Sequence, residues 1–335
     1  MSSAATRPRA RWLAPLCLAV LLAPGLFVRD SRLAGDGTAG LTVTRLAAPP
    51  RRIGKGLTLA GAWRLDSADR RFQGYSGLVP LRDGRLAAFS DLGATLLFDP
   101  PGSRHPRPPQ MARLASTVTT TSKRERDCEA VTIDPASGMI WVAFERTNSI
   151  VRLGLDLRIT GRVRAARMHH WPANSGPEAM VRLADGRFIV LAENRDKTGR
   201  QRALLFAGDP VAGARPVAFS YRAPEGFRPT DMAQLPDGRV LVLNRRFSLP
   251  FRFTAALTLA DPREIAPGRP WRSREIARLV PPLPVDNYEG LAIRPGPDGT
   301  ATLWLISDDN QAQWLQHTLL LALRWDPTAF PPRAG

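Results

Sequence analysis

Acidic and other polar side chains recur along this sequence just ahead of short apolar runs, and again just after them. The first set comprises Ser76, Glu129, Glu178, Asp231 and Glu289, at steps of 53, 49, 53 and 58 residues. The second set comprises Asp91, Glu145, Glu193, Asn244 and Asp308. These side chains offer oxygen, the ligand atom that Ca²⁺ takes, and carboxylates gathered in one place repel one another unless a cation lies among them. If folding brings the two sets together, we expect a calcium site.

The apolar runs between the two sets predict β-hairpins. In VDNYEGLAIRPGPDGTATLWLISDDNQ, residues 285–311, two runs of strand length are joined by Pro-Asp-Gly, a turn sequence that supplies a fixed φ and a residue tolerant of positive φ. In an antiparallel hairpin the first strand begins beside the end of the second, so Glu289 should lie near Asp308. Four earlier segments repeat this order of polar residue, strand, Gly turn, strand and polar residue: 75–93, 127–146, 176–195 and 229–246.

A repeat of about 50 residues with several strands in each unit is typical of one all-β fold, the β-propeller. The strand-like runs give five blades, the last of which has only three strands of its own. We predict that the run Leu57 to Leu65 completes this blade, because a strand from the other terminus removes an exposed edge. A sixth, divergent blade could lie among the long loops. Since the first strand of each blade lines the axis, both sets of polar residues should surround one mouth of the channel.

The predicted mouth suggests roles for its side chains. The predicted proton-transfer groups are the carboxylates at the start of the first strands: Glu129, Glu178 and Glu289. The predicted metal ligands are Asp91, Glu145, Glu193, Asp231 and Asp308. An anionic substrate group would be held by arginines that follow the second strands and by one tyrosine: Arg146, Arg195, Arg245, Arg246 and Tyr288. The alternative is structural, since such acids also cap loops or pair with arginines.

Charge and motif content exclude several classes of function. The net charge is +17 over 335 residues, and it comes from scattered arginines rather than from a basic run. Groove-reading motifs are missing from the sequence, so we expect no nucleic-acid partner. A G-x-S-x-G motif and a Gly-rich phosphate loop are missing as well, which argues against a serine hydrolase of that type and against a nucleotide-binding enzyme.

The first 29 residues have the pattern of an export signal. Three arginines precede an apolar stretch at 12–28, about as long as a signal-peptide core. Because no clear small-x-small cleavage site follows, an uncleaved segment that anchors the protein in the inner membrane is the alternative. We predict a signal or anchor at 1–29, a linker with one strand at 30–56, the propeller at 57–327 and a tail at 328–335. We expect an exported, periplasmic monomer.

The repeated segments also carry a family resemblance. They read YSGL…DGR…FSDLG, DCEAVTID…GMIWVAFER, PEAMVRLADGRFIVLAENR, PTDMAQLPDGRVLVLNRRFS and VDNYEGLAI…LWLISDDNQ, and they span Tyr75 to Gln311 in order. This set resembles the phytase-like family of bacterial exported proteins, known for esterase-like activity. The resemblance implies a propeller, export and hydrolysis of ester or phosphoester bonds with calcium as the ion. Better-understood phytase propellers have six blades, whereas the strand count here gives five.

These observations predict an exported hydrolase that uses a metal ion and carboxylates to cleave a small anionic ester. Two other functions would use the same mouth. One is a propeller that binds a ligand or an envelope partner without catalysis, because a fold does not by itself fix an activity. The other is a lactonase-like hydrolase that acts on sugar acids.

Overall fold

The chain folds mainly into antiparallel strands in a computed structural model, which describes residues 40–114, 127–172, 174–250 and 252–331. The strands are β1 (Leu41–Arg45), β2 (Arg51–Gly54), β3 (Leu57–Ser67), β4 (Tyr75–Pro80), β5 (Leu86–Ser90), β6 (Ala94–Phe98), β7 (Gln110–Arg113), β8 (Cys128–Ile133), β9 (Ile140–Phe144), β10 (Ser149–Leu153), β11 (Ile159–Val163), β12 (Pro177–Arg182), β13 (Phe188–Arg195), β14 (Gln201–Phe206), β15 (Pro216–Arg222), β16 (Arg228–Gln234), β17 (Val240–Ser248), β18 (Arg252–Ala260), β19 (Pro270–Arg272), β20 (Arg274–Leu279), β21 (Asn287–Pro295), β22 (Ala301–Asp308) and β23 (Thr318–Trp325). Short 3-10 helices lie at Ala166–Met168, Pro210–Ala212, Pro262–Glu264, Pro297–Gly299 and Pro327–Ala329.

Parts of the sequence interpretation fall beyond these ranges. The predicted leader at 1–29, the first ten residues of the predicted linker and the last four of the predicted tail lie outside the described residues. Within the described ranges, no helix has the length and apolar character needed to cross a membrane.

Twenty of the described strands group into five sets of four antiparallel strands, which we call blades one to five; β1, β2 and β19 pair outside these sets. Blade one is β4 to β7, blade two β8 to β11, blade three β12 to β15, blade four β16, β17, β18 and β20, and blade five β21, β22, β23 and β3. The second strands of blades one and two, Leu86–Ser90 and Ile140–Phe144, are buried at every position. Both faces of these strands pack on other blades, which explains continuous apolar runs in the sequence instead of polar–apolar alternation.

Blade five is closed by a strand from the N-terminal side, as the sequence predicts. β3 pairs with β23 from Thr318 opposite Leu65 to Trp325 opposite Leu57. Part of the predicted linker also forms strands, because β1 pairs with β3 and β2 joins β3 to β20 of blade four. At Gly54 an added Cβ would lie 2.2 Å from the carbonyl oxygen of Ile276, so only glycine fits this junction.

The innermost strands of the blades form a closed ring in the order β4, β8, β12, β16, β21 and back to β4. Small residues permit this close packing: a Cβ on Gly77 would meet Val131 at 2.5 Å, and one on Gly290 would lie 3.0 Å from the backbone nitrogen of Leu78. Buried apolar clusters fill the spaces between neighbouring blades. The predicted fold class, an all-β propeller, is confirmed.

Candidate functional site

Every inner strand contains a β-bulge close to its start. Opposite the second strand, the pairing skips one residue in each blade: Ser76, Glu129, Glu178, Thr230 and Glu289. A bulge leaves its extra residue out of the hydrogen-bond ladder and turns that side chain in a new direction, which is why bulges are common beside active sites. Burial, Glu178 and Glu289 all raise the pKa of Glu129, so three of these side chains converge on one mouth of the channel.

Blade four corrects one of the sequence assignments. Its bulge residue is Thr230, whereas Asp231 takes the position that Gly or Ala holds in the other blades. Asp231 is fully buried, and its carboxylate accepts hydrogen bonds from the backbone N–H groups of Met232 at 2.8 Å and Leu291 at 2.7 Å. Asp231 therefore joins the inner strands of blades four and five instead of facing the other acids. The comparison of the repeated segments matched Asp231 to the other acids because it is charged, although it lies one residue after the bulge position in its strand.

Three carboxylates of blade two lie close enough to share a cation. One oxygen each from Asp127, Glu129 and Glu145 lies within 4.8 Å of the others. The backbone N–H of Glu145 donates to the carbonyl oxygen of Asp127 at 3.0 Å, which fixes the second strand against the start of the first. Arg146 forms an ion pair with the Asp127 carboxylate. Sequence reasoning missed Asp127, although it stands two residues before the Glu129 anchor. We call these three side chains the carboxylate cluster.

Further acids surround the carboxylate cluster and outnumber the arginine that pairs with Asp127. Burial together with Asp127 and Glu193 raises the pKa of Glu145 to about 7, despite a hydrogen bond with Glu178 that acts in the opposite direction. Burial and the neighbouring carboxylates Glu193, Glu145 and Glu289 raise the pKa of Glu178 well above its usual value. At neutral pH these groups hold protons or require a cation.

On the opposite side of the mouth, an arginine side chain, Arg245, pairs with the acids. Arg245 donates from Nη1 to Glu289 Oε1 at 2.8 Å and to Asn287 Oδ1 at 2.7 Å, and Asn287 Nδ2 donates to the same Glu289 oxygen at 2.9 Å. Glu193 receives Arg228 Nη1 at 2.8 Å and lies 3.5 Å from Arg245 Nη2. Asn287 and Arg228 were missed, because a neutral amide and an arginine ahead of a strand gave no distinctive signal.

A third acidic group connects blades one and five. Asn287 pairs with Asp308 across the hairpin, so Asp308 lies near Glu289 as hairpin geometry predicts. Burial, Glu289, Asp91 and Asp309 raise the pKa of Asp308 well above its usual value. Gln311 Nε2 donates to Asp91 Oδ2 at 2.9 Å, so this carboxylate oxygen of the third acidic group has a hydrogen-bond partner within the protein.

Three of the predicted substrate-binding residues have other contacts. Arg195 donates to the carbonyl oxygen of Phe227, and the Arg246 guanidinium lies 4.9 Å from the centre of the Phe227 ring. Tyr288 is fully buried, and its hydroxyl donates to the carbonyl oxygen of Pro284 at 2.9 Å. None of these contacts involves the carboxylate cluster.

Comparison with known proteins gives one family match. The model of phytase-like proteins, described as "Esterase-like activity of phytase", matches residues 70–311, more than half of the chain. No curated protein matches.

Solved structures with a similar chain course are distant in sequence. A gluconolactonase from Xanthomonas campestris has 13% identity and a TM-score of 0.43, covering 85% of this chain and 98% of that one. A luciferin-regenerating enzyme has 11% identity and a TM-score of 0.44, covering 85% and 95%. A protein of unknown function from Bacteroides thetaiotaomicron has 12% identity and a TM-score of 0.45, covering 82% and 68%. Similarity at this level says nothing of what the present chain binds or transforms.

Proposed function

The chain belongs to the phytase-like family, and we propose that it is an exported, metal-assisted ester hydrolase whose active site is the acidic mouth of the propeller. One observation carries the proposal. Glu178, a carboxyl whose pKa is raised well above its usual value, hydrogen-bonds to Glu145 of the carboxylate cluster. A carboxyl with a raised pKa beside a potential cation site combines general acid–base catalysis with metal assistance, and both can accelerate hydrolysis of an ester.

The carboxylate cluster fits a hard divalent cation, and we propose Ca²⁺. Asp127, Glu129 and Glu145 offer only oxygen, and burial with mutual repulsion raises the pKa values of Glu129 and Glu145. A bound cation would relieve that repulsion, and Ca²⁺ takes oxygen ligands in flexible geometry. When bound, the cation would supply Lewis-acid polarisation of the ester.

Glu178 is the proposed proton-transfer residue. Burial and the neighbouring carboxylates raise the pKa of its carboxyl and so favour the protonated form, and its hydrogen bond to Glu145 holds it beside the carboxylate cluster. When water adds to the ester carbonyl, a protonated carboxyl in this position can donate its proton to the alcohol that leaves the tetrahedral intermediate, and the resulting carboxylate takes the proton that the added water loses. Ester and water are converted to acid and alcohol, and Glu178 regains its proton.

Arg245 is the proposed site for negative charge on the substrate. Its guanidinium is held by Asn287 and Glu289, so it does not need to reorganise when charge develops nearby. The carboxylates Glu178 and Glu193 also act on Arg245 and raise its pKa, which places this guanidinium between blades three and five.

The test is turnover by the purified protein on an aryl phosphate and on a short acyl ester, each with calcium or with chelator. We expect activity that chelator removes, and a drop of about 10²- to 10⁴-fold in kcat for Glu178→Gln. Asp156→Asn, an exposed acid in the turn that follows β10 at the other end of the channel, is the matched control and should keep full activity.

Two outcomes would reject the proposal. Absence of turnover on every ester by a folded protein favours a binding propeller, and turnover confined to a lactone substrate favours a lactonase. Equal activity of Glu178→Gln and Asp156→Asn would remove Glu178 from the reaction.

A further inference from the structure

Among the described residues, large apolar side chains stand exposed around one part of the mouth. We call the mouth face the end of the propeller where the inner strands begin and the second strands end. On this face, exposed large apolar residues of the described chain come from blades four and five: Phe247, Leu249, Val280, Trp314 and Leu315. In the mouth-face loops around blade three, the comparable side chains Met168, Trp171 and Phe227 are buried. The exposed apolar side chains of the mouth face therefore lie on blades four and five, while the loops around blade three keep theirs buried.

The apolar side begins at a residue of the proposed site. Phe247 follows Arg245 by two positions on β17, and the β17–β18 hairpin remains paired as far as Ser248 opposite Arg252. The rings of Phe247 and Phe253 lie 5.1 Å apart across this hairpin. The hairpin tip therefore rises from the mouth as a regular structure, with Leu249 exposed over 81% of its surface.

The loop after β22 presents Trp314 in a similar way. This loop is tied down along its length: Gln311 donates to Asp91, Gln313 donates to the carbonyl oxygen of Phe72, and Gln316 donates to Asp286, each at 2.9 Å. Trp314 nevertheless remains 75% exposed. A large aromatic ring held out of the core by a fixed loop offers a surface that gains free energy when an apolar ligand covers it.

Both projections are joined along the chain to residues at or near the pair formed by Arg245 and Glu289. Arg245 lies on β17, the first strand of the exposed hairpin of blade four. Asp308, which lies near Glu289, is the last residue of β22, just before the loop that holds Trp314. An ester held at the carboxylate cluster would extend past this ion pair toward exposed apolar side chains. The position of the apolar residues along the chain therefore links them to the site itself.

We propose that the substrate is an amphipathic ester, with a polar ester group at the carboxylate cluster and an apolar acyl chain against Leu249 and Trp314. This inference rests on the proposed function and adds the class of substrate to it. A site of this kind favours medium-length acyl chains over acetyl groups, because each added methylene is removed from water on binding.

The experiment compares kcat/KM for p-nitrophenyl acetate and p-nitrophenyl octanoate in the wild type and in Trp314→Ala and Leu249→Ser. We expect the wild type to favour the octanoate by at least about tenfold, and each variant to lose about five- to tenfold on the octanoate while acetate activity stays unchanged. Leu155→Ser is the matched control, because Leu155 is also 75% exposed but lies in the turn after β10, away from the mouth.

A binding measurement separates failure of this inference from failure of the proposed function. Octyl phosphate and ethyl phosphate are titrated into wild type and Trp314→Ala by calorimetry. Tighter binding of octyl phosphate that Trp314→Ala weakens supports the apolar site even if no ester is hydrolysed. Turnover with no dependence on chain length, or an equal loss in Leu155→Ser and Trp314→Ala, would overturn the inference while leaving hydrolysis intact.

Discussion

The two sides of the mouth are built from the same element and differ in how charge is balanced. Glu178 and Glu289 both occupy bulges near the start of inner strands. Glu289 receives hydrogen bonds from Arg245 and Asn287, whereas Glu178 is surrounded mainly by other carboxylates. The bulge thus determines only where the carboxylate lies. The neighbouring residues determine whether that carboxylate is stabilised by hydrogen bonds within the fold or instead binds a proton or a cation. We place the proton transfer on the side of Glu178, where carboxylates outnumber arginines among the groups that shift its pKa.

The variant with the largest expected effect on this comparison removes Arg245. Arg245→Gln leaves the buried Glu289 carboxylate without its ion pair, and we expect a loss of about 3 kcal/mol in the free energy of unfolding at pH 8. The double variant Arg245→Gln with Glu289→Gln should recover most of that loss, because no charge is then buried alone. Urea unfolding measures both values.

The control for this pair is an exposed one. Arg278→Gln breaks an ion pair with Glu275 on the surface and should change stability by less than about 1 kcal/mol. Equal losses for Arg245→Gln and Arg278→Gln would show that the Arg245 pair adds nothing beyond surface electrostatics.

Calcium should act on the other side of the mouth. At about 100 times its dissociation constant, calcium should raise the free energy of unfolding at pH 8 by about 2.7 kcal/mol relative to chelator. Glu129→Gln should remove most of this increase, because Glu129 belongs to the carboxylate cluster. Asp308→Asn, which lies near Glu289, should retain it. The reverse pattern in urea unfolding would place the ion beside Asp308.

Glu145 should make stability depend on pH when chelator is present. Its pKa rises to about 7 on folding, so the folded state holds this proton more tightly than the unfolded state. The contribution of Glu145 to the free energy of unfolding is therefore greatest below about pH 4.5, and it is lost as the pH rises to about 7. Since Glu145 is partly exposed, we expect its contribution to be about 1–2 kcal/mol. Glu145→Gln should reduce this slope in urea unfolding between pH 4.5 and 8, and an unchanged slope would contradict the assignment.

The fold was predictable because its signal is periodic. Two apolar runs around a Gly turn, repeated at about 50 residues, determine where hairpins form, and the missing fourth strand of the last blade indicates that an N-terminal strand must fill it. The one strand predicted within the linker is present at 41–45, whereas the strand at 51–54 was missed, because its two exposed arginines weaken the apolar pattern.

The site was predictable only in part, because partners of a charge come from distant parts of the chain. The acids Glu129, Glu178 and Glu289 were found by their place ahead of strands, and they converge. Which of them receives an arginine depends on contacts such as that between Arg245 and Glu289, 44 residues apart, which no local pattern records. Asp231 was misassigned because a bulge shifts the strand by one residue, and charge alone does not reveal a bulge.

The smallest expected effect concerns blade four, where Thr230 occupies the bulge that holds glutamate in blades two, three and five. Its hydroxyl donates to the carbonyl oxygen of Tyr288 at 3.2 Å, so this bulge contributes a hydrogen bond between inner strands and no carboxylate. Thr230→Val keeps the shape and removes the hydroxyl, and should lower the free energy of unfolding by about 1 kcal/mol, as urea unfolding would measure. Hydrolysis of the acetate ester should stay unchanged, since this bulge lacks a group that transfers protons. A loss of activity comparable to that of Glu178→Gln would mean that all the bulges act together in the reaction, and that their separation into structural and chemical sides is wrong.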